Sequence, residues 1–150
     1  MAAYYTIVKG LPMIKVAVLG ETTLSGCDLT AAEDLQIITL TATSLNQAID
    51  DIIGLNADVV ILDQDNEELH ADVVCSFLAR QHSRAQTLIL TSQTPDFDML
   101  SQTGFSARGY ITPNQRNLLN KAIHAVFDGE AWLPRRLVAE MLNRFAANSF

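Results

Sequence analysis

Asp58–Asp63 reads DVVILD, and the fold follows from that stretch. Val59 to Leu62 are apolar without interruption, with no alternation of apolar and polar positions. A strand that faces water on one side alternates; an unbroken apolar strand is covered on both faces, as in a parallel sheet packed between helices. Working outward, Thr87–Thr91 (TLILT) has the same character, and so does Ile14–Leu19 (IKVAVL), which breaks at Gly20. Gln36–Thr41 (QIITLT) and Ala107–Thr112 (ARGYIT) complete five expected strands.

Helical patterns lie between them. Leu45, Ala48, Ile49, Ile52 and Ile53 make one apolar helical face, with Ser44 as the expected N-cap and Gly54 as the expected stop. Leu69, Val73 and Phe77, flanked by Val74 and Leu78, form a second stripe. Pro95–Thr103 reads as a short helix closed by Gly104. Leu118, Leu119, Ala122, Ile123, Val126 and Phe127 predict a strong helix that stops at Gly129. Pro134 then opens a last helix with Leu137, Val138, Met141, Leu142 and Phe145 on one face. Thr22–Leu35 contains Gly26 and several Thr, Ser and Asp residues, so any helix there is short. Met1–Met13 has no period and is broken by Gly10 and Pro12; it reads as an N-terminal arm.

Strands alternating with helices, joined by right-handed crossovers, predict an α/β fold. The expectation is a doubly wound five-stranded parallel sheet of flavodoxin-like type, a three-layer sandwich with an extra C-terminal helix. The division expected is an arm over 1–13, a main domain over 14–130 and a C-terminal linker helix over 131–150.

Composition narrows the function classes. The chain has 150 residues, 49% hydrophobic and 18% charged, enough for one ordinary core. Mean hydropathy is +0.16, too apolar for a disordered chain. No apolar run approaches the roughly 20 residues of a membrane helix, and the N-terminus lacks a secretory pattern. Cys27 and Cys75 are too few for a disulfide framework or a structural zinc site, so a cytoplasmic setting is expected. Net charge is −7, which makes this chain alone a poor ligand for nucleic acid. The charge is uneven: residues 1–107 hold 4 Lys/Arg against 14 Asp/Glu, and residues 108–150 hold 6 against 3.

In a doubly wound sheet, ligands bind beyond the C-terminal strand ends. The residues expected there are Gly20 and Glu21, Asp63 to Asp65, Thr91 and Ser92, and Thr112 and Pro113. Glu21 and Asp63 could share a hard cation, with a backbone carbonyl near Asp65 as a third ligand. Asp63 could also accept a phosphoryl group as a carboxylate nucleophile, with the Thr91 hydroxyl bonding a phosphoryl oxygen.

At these residues the chain resembles the receiver domain of two-component response regulators of the LuxR/NarL type. The matching stretches are IKVAVLGE, DVVILD, LILTS, ARGYIT and AIHAVFDGEAWLPRRLVAEML, together spanning about Ile14–Phe145. The last is the most specific, since a Gly-Glu-x-Trp-Leu-Pro-like turn and a helix commonly lead from that family's receiver toward a helix-turn-helix domain. The resemblance implies a phosphoacceptor at Asp63, a hydroxyl switch at Thr91, an aromatic switch at Tyr110, and a weak magnesium site formed by Glu21, Asp63 and Asp65. It further implies a sensor histidine kinase as partner, homodimerisation, and DNA contact only through an output domain that does not lie within these residues.

The sequence departs from that pattern. Gly20 stands at one position of the metal-binding acid pair, and Thr112-Pro113 replaces the lysine after the last strand. The Met-Pro pair after the phosphoacceptor is missing, the chain reading QDNEELH there, and the first helix is shortened. Phosphoryl transfer onto a carboxylate brings negative charge onto negative charge, and each lost cationic support costs roughly 2–4 kcal/mol of transition-state stabilisation. A degenerate receiver, or pseudo-receiver, is the expectation.

Plainer readings stand beside these. Asp65, Glu67, Glu68 and Asp72 suit the solvated start of a helix. His70, His82 and His124 lack metal-ligand spacing, Cys75 sits in an apolar stripe, and Tyr110 divides between core and surface. The leading reading is a non-enzymatic signalling domain, the N-terminal regulatory part of a LuxR/NarL-type transcription regulator with impaired or absent phosphorylation of Asp63. The alternative is a stand-alone pseudo-receiver acting as an interaction or dimerisation module. A flavodoxin-like enzyme is a weaker third reading, because Glu21 would repel a phosphate from the Gly20–Gly26 loop.

Overall fold

The computed structural model describes residues 6–8, 11–27, 29, 33–41, 44–81 and 83–148. The strands are β1 (Thr6–Val8), β2 (Leu11–Leu19), β3 (Leu35–Leu40), β4 (Val59–Asp63), β5 (Gln86–Leu90) and β6 (Gly109–Ile111). The helices are α1 (Leu45–Leu55), α2 (Ala71–Arg80), α3 (Phe97–Gln102), α4 (Leu119–Phe127) and α5 (Arg135–Ala147). Short 3-10 turns at Glu67–Leu69 and Pro113–Leu118 precede α2 and α4.

Five strands are parallel, in the order β3-β2-β4-β5-β6. The doubly wound sheet expected from DVVILD is therefore present. Val59, Val60, Ile61 and Leu62 are each 0% exposed, as an unalternating strand requires. Their side chains divide between two cores. Val60 and Leu62 join Ala48, Ile52, Val74, Leu78, Tyr110 and Leu137 on one face. Val59 and Ile61 join Val16, Val18, Leu119, Ile123 and Val126 on the other.

The second face is covered unusually. No helix lies between β2 and β3 among the described residues; turns occupy 21–26 instead. Leu24, Cys27 and Leu29 of this connection pack on the core that α4 covers. Ile37, on the outer strand β3, is left 36% exposed.

Several sequence expectations change. The N-terminal arm includes a strand: Thr6–Val8 pairs antiparallel with Leu11–Met13, extending β2 backward. Pro12 is tolerated because it precedes the first rung with β3, Ile14 opposite Leu35, where its missing N–H would matter. Residues 1–5, 9 and 10 of that arm, and His82, lie outside the described residues. Ser44 caps α1 as expected, its Oγ accepting from the Gln47 N–H at 3.1 Å. Gly54 does not stop the helix; Asn56 does, in a left-handed conformation with φ 54°. The α2 stripe is rotated from expectation. Leu69 falls in the 3-10 turn, His70 turns left-handed at φ 48°, and a helix starting at Ala71 buries Ala71, Val74, Cys75 and Leu78. Phe77 is left 36% exposed. Burial holds the Cys75 thiol above its ordinary pKa, so it behaves as a packed, protonated group.

The segment expected as a separate linker packs into the domain. Leu137 is 2% exposed, in the same core as Tyr110. The rest of the expected α5 stripe is mostly outward: Val138, Leu142 and Phe145 are 39%, 65% and 45% exposed.

Asp34, which leads into β3, is tied to α4 by His124. The His124 Nε2 lies 2.5 Å from Asp34 Oδ2, and Nδ1 lies 2.8 Å from the Asn120 carbonyl. Both partners are acceptors, so the imidazole is best served by carrying both protons. Partial burial alone would lower its pKa, but the Asn120 carbonyl and the carboxylates of Asp34 and Asp128 together raise it. A raised folded-state value means the contribution is full below the unfolded value near 6.5 and is lost as pH rises through the folded value. Urea midpoints measured between about pH 6 and 8 will therefore fall with rising pH, and His124→Asn will flatten that slope.

Candidate functional site

The loops after β2, β4, β5 and β6 meet at one rim of the sheet, with Glu21, Asp63, Thr91 and Thr112 at or just beyond the strand ends. Asp63 closes β4 opposite Leu90 and is half-buried. Its Oδ1 accepts the Asp65 N–H at 3.0 Å, a local turn that holds the carboxylate at the strand end. Asp65 is exposed and reaches across to the next loop, its Oδ1 accepting from both the N–H (3.1 Å) and the hydroxyl (3.0 Å) of Ser92. Residue pattern alone carries no signal for this clamp. A serine two residues beyond an apolar strand is unremarkable until the neighbouring loop places an acid against it.

Thr91 is 0% exposed, with its N–H bonded to the Ile111 carbonyl and its Oγ1 accepting from Gln93 N–H at 3.1 Å. That leaves the hydroxyl proton free to donate. Glu21 is exposed, and its Oε1 accepts from the Thr41 hydroxyl at 3.2 Å, toward β3. Thr112 follows β6 and caps the 3-10 turn Pro113–Leu118, its Oγ1 2.5 Å from Asn114 Oδ1 and 3.1 Å from Gln115 Oε1. Asp63, Asp65 and Ser92 are thus linked by hydrogen bonds, whereas Glu21 is bonded to a different partner.

Among the described residues, no three His, Cys, Asp or Glu side chains form a group able to hold a metal ion. A hard dication asks for several oxygen ligands at once. Here Asp65 Oδ1 is engaged by Ser92 and Glu21 Oε1 by Thr41.

Gly20 stands where the receiver pattern carries an acid. Its φ is +100°, and a Cβ built there would lie 2.8 Å from Thr23 Oγ1 and 3.0 Å from Leu69 Cδ1. Thr23 is buried and donates its hydroxyl to the Leu19 carbonyl at 2.5 Å, so it has little room to yield. The tight turn over 21–26 that follows β2 is what excludes a side chain at this position.

Tyr110 is 1% exposed, not divided between core and surface as expected. Its hydroxyl is buried without a hydrogen-bond partner among the described residues. Burial raises the phenol pKa far above its usual value, and the nearby acidic groups add to that. An unpaired buried hydroxyl costs about 1–3 kcal/mol.

Solved structures of known proteins share this architecture. One solved structure it resembles is the isolated receiver domain of RcsB from Salmonella enterica serovar Typhimurium, with TM-score 0.68, 18% identity, and 87% of this chain and 98% of that chain covered. The fold is the receiver fold. A LuxR-family two-component response regulator from Aurantimonas sp. SI85-9A1 gives TM-score 0.67 at 15% identity, covering 89% of this chain and 99% of that one. The signal receiver domain of the putative response regulator NarL from Mycobacterium tuberculosis gives 0.62 at 16%, covering 79% and 98%. At such identities the likeness is one of fold. No family model matches the chain, and no curated protein matches its sequence.

Replacing Gly20 by Asp, which would complete the acid pair of the receiver pattern, forces a side chain into a left-handed turn with no space for it. The substitution is expected to cost about 1–3 kcal/mol in urea unfolding, where an exposed loop position would change stability by less than about 0.5 kcal/mol.

Proposed function

We propose that this chain is a receiver-type signalling module in which phosphoryl transfer to Asp63 is impaired or absent. The observation that carries the reading is the rim itself: an acid at the end of β4 that accepts the Asp65 N–H, Asp65 in turn bonded to Ser92, with Thr112 rather than a cation after β6. Phosphoryl transfer to a carboxylate gathers negative charge that fixed cations must offset. Each missing support costs about 10²–10³-fold in rate. Glu21 and Asp65 add to the negative field around Asp63 instead of relieving it.

The module's place, on this reading, is the regulatory part of a LuxR/NarL-type transcription regulator, reaching DNA only through an output domain. The supports are the receiver fold, with LuxR-family response regulators among its neighbours, and the net-basic stretch 108–150, which holds 6 Lys/Arg against 3 Asp/Glu. A sensor histidine kinase is then a docking partner more than a phosphodonor, and output runs through protein contacts, homodimerisation among them. The stand-alone interaction module uses the same surfaces and differs in having no output domain.

Incubation with magnesium and millimolar acetyl phosphate, read by intact-protein mass, tests the central point. No gain of a phosphoryl group is expected within the time that a competent receiver is fully modified, and beryllofluoride should leave the tryptophan emission unchanged. A mass gain abolished by Asp63→Asn would overturn the proposal.

A further inference from the structure

Helix α5 is held firmly at both ends and bare along one side. At its root, Trp132 pairs in parallel with Gly109 on the outer edge of β6, its N–H donating to the Arg108 carbonyl at 3.0 Å and its carbonyl accepting from the Tyr110 N–H at 3.1 Å. Gly109 makes room for this, since a Cβ there would lie 2.7 Å from Trp132 Cβ. The Arg108 guanidinium donates to the Gly129 and Glu130 carbonyls, and Leu137 enters the core. The far end leans on α3 through the rings of Phe145, Phe97 and Phe105, with Phe105 and Phe145 centroids 5.6 Å apart.

That anchoring fixes which side faces water. With 3.6 residues per turn, Val138, Ala139, Leu142, Phe145 and Ala146 share one side of α5, and all five are exposed. Leu142, near the middle, is 65% exposed, more than any other large apolar residue among the described residues. Phe105, 44% exposed, carries the patch onto the loop after α3. It does so from a left-handed backbone at φ 60°, which a bulky aromatic adopts only where its surroundings impose it. A contiguous exposed apolar patch with a charged border marks an interaction surface.

The border indicates what covers it. Arg135 and Arg136 stand exposed in the first turn of α5, where a helix start ordinarily favours acids. At the other end, Phe145 meets Phe97, which lies between the exposed Asp96 and Asp98. Arg144, also at that end, is already engaged, bonded to Glu140 at 3.2 Å and lying 4.4 Å over the Phe97 ring. The patch is thus positive at one end, apolar in the middle and acidic at the other end. Such a surface complements a copy of itself turned end for end about a two-fold axis.

We propose that α5 is a homodimer seam, in which two copies of this chain pair their α5 helices antiparallel, centred near Leu142. Arg135 and Arg136 of each copy then reach Asp96 and Asp98 of the other, and the small side chains of Ala139 and Ala146 let the helices approach closely. A 13-residue helix is about 20 Å long, so the seam and its α3 flanks form an interface of the small, reversible class. The proposal rests on the signalling reading for its purpose, since it gives that module's homodimerisation a surface. It needs no phosphoryl group on Asp63, so the mass assay and the association state fail separately.

Sedimentation velocity on the full chain between about 5 and 500 µM is the test. A reversible monomer–dimer equilibrium is expected, and a chain still monomeric at the highest concentration overturns the proposal. Leu142→Asp is expected to weaken dimerisation at least about tenfold while leaving the urea unfolding curve in place. A dimer that survives this substitution uses another face and equally overturns it. Arg135→Glu should weaken association about fivefold without harming α5, because an acid suits a helix start. Adding Asp98→Arg to that chain should recover most of the loss, and absence of recovery refutes the antiparallel seam.

Discussion

Strand β4 must be shielded from water on both faces, and the molecule is organised around meeting that requirement. Its four apolar residues are fully buried, so each face of the sheet needs its own cover. One face receives α1, α2, α3 and the root of α5. The other relies on α4 and on the side chains of the β2–β3 connection. Leu119, Ala122, Ile123 and Val126 of α4 are all at 0% exposure. The His124–Asp34 contact ties α4 to the connection that shares its task.

The same economy shapes the rim. A compact turn after β2 leaves Gly20 in a left-handed conformation with Thr23 against it. The position that would carry an acid in the receiver pattern is therefore closed by packing as well as by residue type. Across the rim, Asp65 has turned to Ser92. Local packing and local hydrogen bonding account for the electrostatic character of the site.

Much of the fold was legible because unalternating strands and 3.6-residue stripes are direct imprints of burial. DVVILD, TLILT and the Leu119–Phe127 pattern each fall on the expected element. The misreadings come from places where a single residue's backbone sets the phase. His70 turns left-handed and resets α2, so the spacing of Leu69, Val73 and Phe77 did not give its buried face. Asn56 rather than Gly54 ends α1 because its side chain tolerates the same conformation. The rim residues were nameable from topology alone. Their hydrogen-bond partners were not, since Ser92 and Thr41 come from distant loops.

The order in which the chain is made gives the β6 edge a history. Gly109–Ile111 leaves the ribosome about twenty residues ahead of Trp132, an interval of about 1–4 s at ordinary translation speeds. During that interval the nascent sheet ends in an unpaired strand, the kind of edge on which neighbouring chains aggregate. A strand only three residues long offers a poor template for such pairing. Its brevity protects the growing chain before its own tail arrives.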